Sequence, residues 1–159
     1  MKNWKINPAW EDAPYDPSWI FKTPLTNPMS NIIDGIQKTI CIDFDGVIHS
    51  FVQPWISATV IPDPAVYGAF DFIKRCIADG YTVAVFSSRS HQFRGIDAMK
   101  AWFIEHGLDE TTLQQIQFPQ EKPPAIIYID DRGYRFIGEW PTAHFLETFR
   151  PWNRADDAK

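Results

Sequence analysis

The strongest structural signal in the sequence is the stretch Lys38-Thr39-Ile40-Cys41-Ile42-Asp43-Phe44-Asp45-Gly46-Val47. Its first half is a short apolar run with β-branched residues, and its second half holds two acids and a glycine. Such a run predicts a buried strand that passes directly into a turn. The acids therefore follow the carboxyl end of a strand, which is where open parallel sheets bind their ligands.

Two later apolar runs end in polar residues in the same way. Tyr81–Phe86 is followed by Ser87-Ser88-Arg89, and Ala125–Ile129 is followed by Asp130-Asp131. Because the carboxyl ends of parallel strands meet at one edge of a sheet, we expect these polar side chains to converge.

Helices are predicted between these strands. In 65–78 the apolar residues recur three and four apart, Asp63 is a suitable N-cap, Pro64 would take the first helical position and Gly80 follows the end. A second helix is predicted over 96–106. Shorter predicted elements are a strand at 116–118, an edge strand at 135–137 and a closing helix at 142–149. Strands that alternate with helices indicate an α/β fold with a mostly parallel sheet.

The composition is that of a single soluble domain. The chain has 159 residues, of which 45% are hydrophobic and 22% charged, and its net charge is −5. This balance excludes wholesale disorder and makes nucleic acid a poor electrostatic partner for the chain as a whole. No apolar run has the length of a membrane helix, and Cys41 and Cys76 both lie in apolar runs. We therefore expect a cytoplasmic protein with reduced cysteines and no membrane partner.

Three regions of the chain differ in composition. Residues 1–37 mix prolines with aromatic residues and predict an extended N-terminal arm, because prolines at this density prevent a long helix. Residues 38–150 form the predicted domain, and residues 151–159 a C-terminal tail. The arm either packs its rings on the domain or docks on a protein partner or a second copy of the chain, as in a homo-oligomer.

The strand ends bring together groups suited to chemistry on phosphate. The carboxylates expected in one crevice are those of Asp43, Asp45, Asp130 and Asp131. They repel one another unless a cation neutralises them, and Mg²⁺ prefers such oxygen ligands. Groups expected to face a phosphate come from Gly46, Ser87, Ser88, Arg89 and Lys122. Asp43, the first acid after its strand, is the natural nucleophile, and Asp45 faces the same side for acid–base work.

Four motifs in this order resemble those of the haloacid dehalogenase superfamily of Mg²⁺-dependent phosphohydrolases. They are Asp43-Phe44-Asp45-Gly46-Val47, Ser87-Ser88-Arg89, Lys122 and Asp130-Asp131, and the resemblance covers about residues 38–140. It implies a three-layer α/β/α Rossmann-like fold. It also implies that phosphomonoesters are hydrolysed through an aspartyl-phosphate.

The resemblance assigns a role to each motif. Asp43 is implied as nucleophile and metal ligand, and Asp45 as general acid–base and as a metal ligand through its carbonyl. Ser87 is implied to hold a phosphate oxygen, and Lys122 to neutralise the nucleophile. The acid that completes the Mg²⁺ site is Asp130 or Asp131, and the sequence leaves that choice open.

The spacing of the motifs bears on the substrate. Neither the gap from Asp45 to Ser87 nor that from Ser87 to Lys122 has room for a large cap domain, so we expect an open site. Residues 49–60, which include Trp55, form a candidate flap, and the arm is another candidate lid. An open site admits a phosphorylated small molecule or a nucleic-acid end. The short second and fourth motifs are similar to the 3′-phosphatase domain of polynucleotide kinase-phosphatases, and the whole resembles small phosphatase-like proteins of phages and prophages.

Other interpretations stand beside the enzyme. A non-catalytic binding or scaffold module could share this fold and use the aromatic arm. The order of the acids argues against a receiver domain and against a Toprim-type nuclease. We interpret His49 and His91 as solvated loop residues, and Arg89 equally as a substrate ligand or as the ion-pair partner of an acid.

Overall fold

The computed structural model describes residues 32–33 and 36–154, with side chains from residue 38 onward. The strands are β1 (Ile32–Ile33), β2 (Ile36–Gln37), β3 (Thr39–Ile42), β4 (Thr82–Val85), β5 (Ile116–Gln117) and β6 (Ile127–Ile129). The helices are α1 (Ala69–Ala78), α2 (Gly95–Glu105), α3 (Glu110–Leu113) and α4 (Ala143–Thr148), with a 3₁₀ helix at Ser88–His91. Apart from the antiparallel pair β1–β2, the predicted N-terminal arm lies outside the described residues.

Four strands form an all-parallel sheet in the order β5-β4-β3-β6. In its register Ile42 lies level with Val85 and with Ile129. The three strands therefore end together, and the residues that follow them meet at one edge of the sheet. This confirms the predicted α/β class and its parallel sheet.

The hydrophobic core lies on one face of this sheet. It joins the alternate strand residues to the inner faces of the two long helices: Ile40, Ile42, Val83 and Val85 with Ile73, Cys76, Met99, Trp102 and Phe103. Each fully buried aliphatic side chain of this kind contributes about 1.5–3 kcal/mol. Both α1 and α2 thus cover the same face, whereas Cys41 and Ala84, one residue out of phase, point to the other face and are also buried. The expected third layer stays a prediction.

Helix α1 begins four residues later than the sequence pattern predicts. Its N-cap is Gly68, in the left-handed conformation, so the prediction that Asp63 caps a helix over 65–78 is wrong. Asp63 is buried instead, where its carboxylate accepts the Gln53 N–H at 2.9 Å and its carbonyl accepts the Trp102 indole N–H at 3.1 Å. These tertiary contacts hold the residue in a loop. The predicted end of the helix before Gly80 is confirmed.

Two expectations for the end of the chain also change. Residues 135–137 do not form the predicted edge strand, and β6 with its exposed Ile127 is the edge strand on that side of the sheet instead. Part of the predicted tail packs on the domain, because Trp152 and Asn153 donate hydrogen bonds to the loop after β3. Residues 155–159 lie outside the described part of the chain. The helix predicted at 142–149 is confirmed as α4, with Thr142 as its N-cap.

None of the helices in the described part of the chain has the length and apolar character that a membrane crossing requires.

Candidate active site

A tight turn follows β3 and sets the direction of both acids of the first motif. The carbonyl of Phe44 accepts hydrogen bonds from the N–H groups of Ile48 and His49, and the Gly46 N–H returns to the His49 carbonyl at 2.8 Å. Gly46 has a φ of +86°, which favours glycine. The Asp43 N–H still belongs to the sheet, since it donates to the Ile129 carbonyl at 2.9 Å. Asp43 is therefore fixed beside the end of β6.

Three of the predicted acids form a carboxylate cluster, which consists of Asp43, Asp130 and Asp131. One oxygen from each lies within 4.8 Å of the others, the spacing at which they could hold a single metal ion. Asp45 does not belong to this cluster, although the sequence places it in the same set. The two acids after β6 are thus both brought to Asp43, and both remain candidate ligands.

Asp131 is the most unusual member of the carboxylate cluster. Its side chain is only 1% exposed, yet neither carboxylate oxygen accepts a hydrogen bond from the residues that the structure describes. Among the described residues, its ion-pair partner is the exposed Arg132, whose Nε lies 3.8 Å from Oδ2. Buried carboxylates are normally paired or bound to a metal, because an isolated buried charge is costly. The arrangement therefore fits a cation held between Asp131 and its neighbours.

The titration of Asp43 and Asp131 is shifted in this cluster. Burial, together with the charges of Asp130, Asp131 and Asp45, raises the pKa of Asp43 to about 7, against the opposing effect of the hydrogen bond from the Phe44 N–H. Burial also raises the pKa of Asp131. A bound cation would favour the ionised forms, which is the state a carboxylate nucleophile needs.

Asp45 is instead locked into a buried ion pair. Arg89 donates to both of its oxygens, from Nε at 2.8 Å and from Nη2 at 3.0 Å, and His49 Nδ1 lies 2.9 Å from Oδ1. Since His49 Nε2 accepts the Asp63 N–H at 3.2 Å, the proton of the neutral ring is on Nδ1 and points at Asp45. Burial works against ionisation of Asp45, but the hydrogen bonds from His49 and Arg89 and the Arg89 charge lower its pKa overall.

All three nitrogens of the buried Arg89 side chain already donate to acceptors in the described residues. It is 1% exposed, and its third nitrogen, Nη1, donates to the carbonyls of Ser57, Ala58 and Val60. Of the two interpretations that the sequence allowed, this geometry matches the ion pair with an acid and leaves direct contact with a phosphate unsupported.

The serines of the second motif build the turn after β4. Ser87 is buried, its side chain accepts the Arg89 N–H at 3.3 Å, and its own N–H donates to Ser90 Oγ at 3.1 Å. Ser87 is thus the N-cap of the 3₁₀ helix, in a capping box. Ser88 is exposed beside it. No described contact shows Ser87 or Ser88 turned toward a phosphate.

Lys122 lies at the mouth of the site. Its ammonium group stands 4.0 Å from the centroid of the Tyr128 ring, and it makes no ion pair with an acid of the described residues. It lines a small cavity of about 60 Å³ together with Asp43 and Asp130. The ammonium group of Lys122 and the carboxylates of Asp43 and Asp130 thus line the same cavity, as the motif order predicts.

Two parts of the site were missed by the sequence. His49 is completely buried instead of solvated, and Trp152 donates its indole N–H to the Gly46 carbonyl at 2.7 Å. The i, i+4 spacing of Asp45 and His49 across a glycine turn is the only signal for the first contact. Nothing local signals the second, because the two residues are far apart in the chain.

A scan against protein-family models, a search of curated proteins and a search of solved structures each found no match to this chain.

Proposed function

We propose that this protein is a Mg²⁺-dependent phosphomonoester hydrolase of the haloacid dehalogenase type, with Asp43 as its nucleophile. The observation that carries the proposal is the buried Asp131 carboxylate, which has no described hydrogen-bond donor and faces Asp43 and Asp130. The parallel sheet is compatible with the three-layer Rossmann-like fold of that superfamily. The order of the four motifs indicates that the reaction is the hydrolysis of a phosphomonoester.

The carboxylate cluster fits Mg²⁺ by its chemistry, since all its donors are hard oxygen atoms. Asp43 and Asp131 would hold the ion, with Asp130 as a further ligand. When bound, Mg²⁺ would neutralise the cluster and the phosphate oxygens and so favour attack by an anion. Gly46 supports this arrangement, because a Cβ at that position would lie 2.5 Å from Asp131 Oδ2.

The side chains of this protein would carry out the covalent chemistry. Asp43 Oδ1 accepts the Phe44 N–H at 2.6 Å, which orients the carboxylate. Its other oxygen would attack phosphorus, forming the acyl-phosphate bond as the ester oxygen leaves, and water would then cleave that bond. Lys122, on the wall of the cavity, would balance the charge of the phosphoryl group. The motif order assigns proton transfer to the leaving oxygen to Asp45, which must first be released from Arg89 to carry a proton.

A test of the proposal is phosphate release from p-nitrophenyl phosphate, nucleotides and 3′-phosphorylated oligonucleotides, with Mg²⁺ or with EDTA. We expect release that needs Mg²⁺ and is lost in Asp43→Asn. Asp71→Asn, which removes an exposed acid in the first turn of α1, is the matched control and should keep full activity. Release that survives in Asp43→Asn or in EDTA would contradict the mechanism.

One observation favours the second candidate, a non-catalytic binding module. Both carboxylate oxygens of Asp45 are hydrogen-bonded to Arg89 or His49. In this arrangement the carboxylate of Asp45 is not free to act as a general acid–base. Such a module would bind Mg²⁺ in calorimetry and release no phosphate from any member of the panel.

A further inference from the structure

We propose that Arg89 is a positioning residue that couples the flap tip, residues 54–60, to the carboxylate of Asp45. The coupling is a property of the folded chain. Its consequence for proton transfer rests on the proposed function.

The guanidinium of Arg89 is shared between two partners. Nε and Nη2 form a two-pronged ion pair with Asp45, while Nη1 donates to the carbonyls of Ser57, Ala58 and Val60 at 2.8, 2.9 and 3.3 Å. A planar, rigid fork of this kind cannot turn toward one partner without leaving the other.

The flap tip has no other hydrogen-bonded attachment within the described residues. Its remaining hydrogen bonds are internal, from the Val60 N–H to the Ser57 carbonyl and between the Ser57 and Thr59 hydroxyl groups. Within the described part of the chain, the hydrogen bonds from the flap tip to other segments all come from Arg89 Nη1. The hydrogen-bonded anchoring of the flap tip therefore rests on one side chain.

An aromatic ring adds to this attachment. The Trp55 ring of the flap tip lies over the guanidinium, with its centroid 4.2 Å from the central carbon. A cation over an indole face is attracted by the ring, most strongly where water is excluded. Trp55 is itself 42% exposed, so a molecule that enters the open site can reach it. The contact is thus both stabilising and accessible from outside.

The coupling acts in both directions, as any coupling between two sites must. If the carboxylate of Asp45 is removed by substitution, the buried guanidinium loses its two-point acceptor, so it is free to turn away from the flap carbonyls. If a substrate displaces the flap tip, Nη1 loses its acceptors and water gains access to the ion pair. In the proposed reaction a seated flap holds Asp45, and a displaced flap frees it for proton transfer.

The test is amide hydrogen exchange of Val60, whose N–H donates to the Ser57 carbonyl within the flap tip, measured by NMR without substrate. Asp45→Asn removes the charge and keeps the shape, and Asp43→Asn makes the same change two residues away without touching Arg89. We expect exchange at Val60 to rise about tenfold in Asp45→Asn, the scale of one charge-assisted hydrogen bond, and to stay unchanged in Asp43→Asn. Exchange in β4 should stay unchanged in both.

Arg89→Lys provides a second variant in case Asp45→Asn does not fold. It keeps the charge and loses the fork, so it should also free the flap tip. Flap exchange at the native rate in a folded variant of either kind would overturn the inference, and so would equal acceleration throughout β4 or in Asp43→Asn. A protein that releases no phosphate but shows the coupled flap keeps this inference and loses the proposed function; the reverse result loses only the inference.

Discussion

Asp131 packs against Gly46 so closely that a Cβ at position 46 would lie 2.5 Å from its Oδ2. The glycine is also in the left-handed region, with a φ of +86°. Two independent constraints therefore fall on one residue. The first is the shape of the turn that presents Asp45, and the second is the space that the buried carboxylate of Asp131 occupies.

Gly46→Ala should therefore be more harmful than an ordinary glycine substitution. We expect a loss of about 2–4 kcal/mol in the free energy of unfolding, from backbone strain together with displacement of Asp131, and weaker Mg²⁺ binding. Gly80→Ala is the matched control, because Gly80 has a φ of +81° with no atom within 4 Å of the added Cβ. It should lose about 1 kcal/mol and bind Mg²⁺ normally. Denaturant unfolding and calorimetry measure both effects; equal losses in the two variants would contradict the close contact.

The raised pKa of Asp43 predicts a pH dependence of stability without metal. Its carboxyl titrates near pH 4 in the unfolded chain and at about 7 in the folded protein. Between these values the folded state holds a proton that the unfolded state has lost, so this residue lowers stability as pH rises from about 4 to about 7. Above that range its contribution is constant.

Asp43→Asn should remove this contribution. At pH 8 we expect the variant to be more stable than the metal-free native chain, by on the order of 2 kcal/mol, and the difference should vanish near pH 4. Urea unfolding at several pH values measures it. A difference that grows as the pH falls would show that the carboxyl is stabilised in its charged form.

Mg²⁺ should stabilise the folded chain through Asp131. At a hundredfold excess over the dissociation constant the gain is about 2.7 kcal/mol, seen as a higher melting temperature. Asp131→Asn should lose most of this shift, whereas the exposed control Asp71→Asn should keep it. A full shift in Asp131→Asn would place the ion elsewhere.

The hydrogen bond from Trp152 to the Gly46 carbonyl should also be measurable. Trp152→Phe keeps an aromatic ring and removes the N–H donor, so we expect a loss of about 0.5–1.5 kcal/mol in the free energy of unfolding. Trp140→Phe is the control, since Trp140 is 82% exposed. Its melting temperature should match that of the native chain; an equal fall in both variants would mean that the contact is not specific.

The sequence predicts the elements of this fold better than the contacts between its loops. Apolar runs locate β3, β4 and β6, because they reflect the burial of each strand. Glycines that follow the helical patterns locate the ends of α1 and α2, because the chain reverses there. Asp63 and Pro64 look like a helix start, yet Asp63 is buried by contacts with the loop residue Gln53 and with Trp102 on another helix. No local pattern carries that information.

The same limit applies to the candidate site. The strand ends predict that Asp43, Asp130 and Asp131 meet, because the topology of a parallel sheet requires it. The sequence predicts that Asp45 joins the same cluster. In the structure Asp45 pairs with His49 and Arg89 instead, because the turn and the flap place these two side chains beside it. Two acids separated by one residue thus acquire opposite pKa shifts.

The place of β6 next to β3 has a consequence for synthesis on the ribosome. Asp43 emerges early, but its partners Asp130 and Asp131 follow only after the chain has made β4, α1, α2 and β5. At about 5–20 residues per second this delay lasts several seconds, during which β3 has an open edge where β6 will later pair. The apolar core can therefore form before the carboxylate cluster exists, so a metal ion can only bind a nearly finished domain and cannot template it.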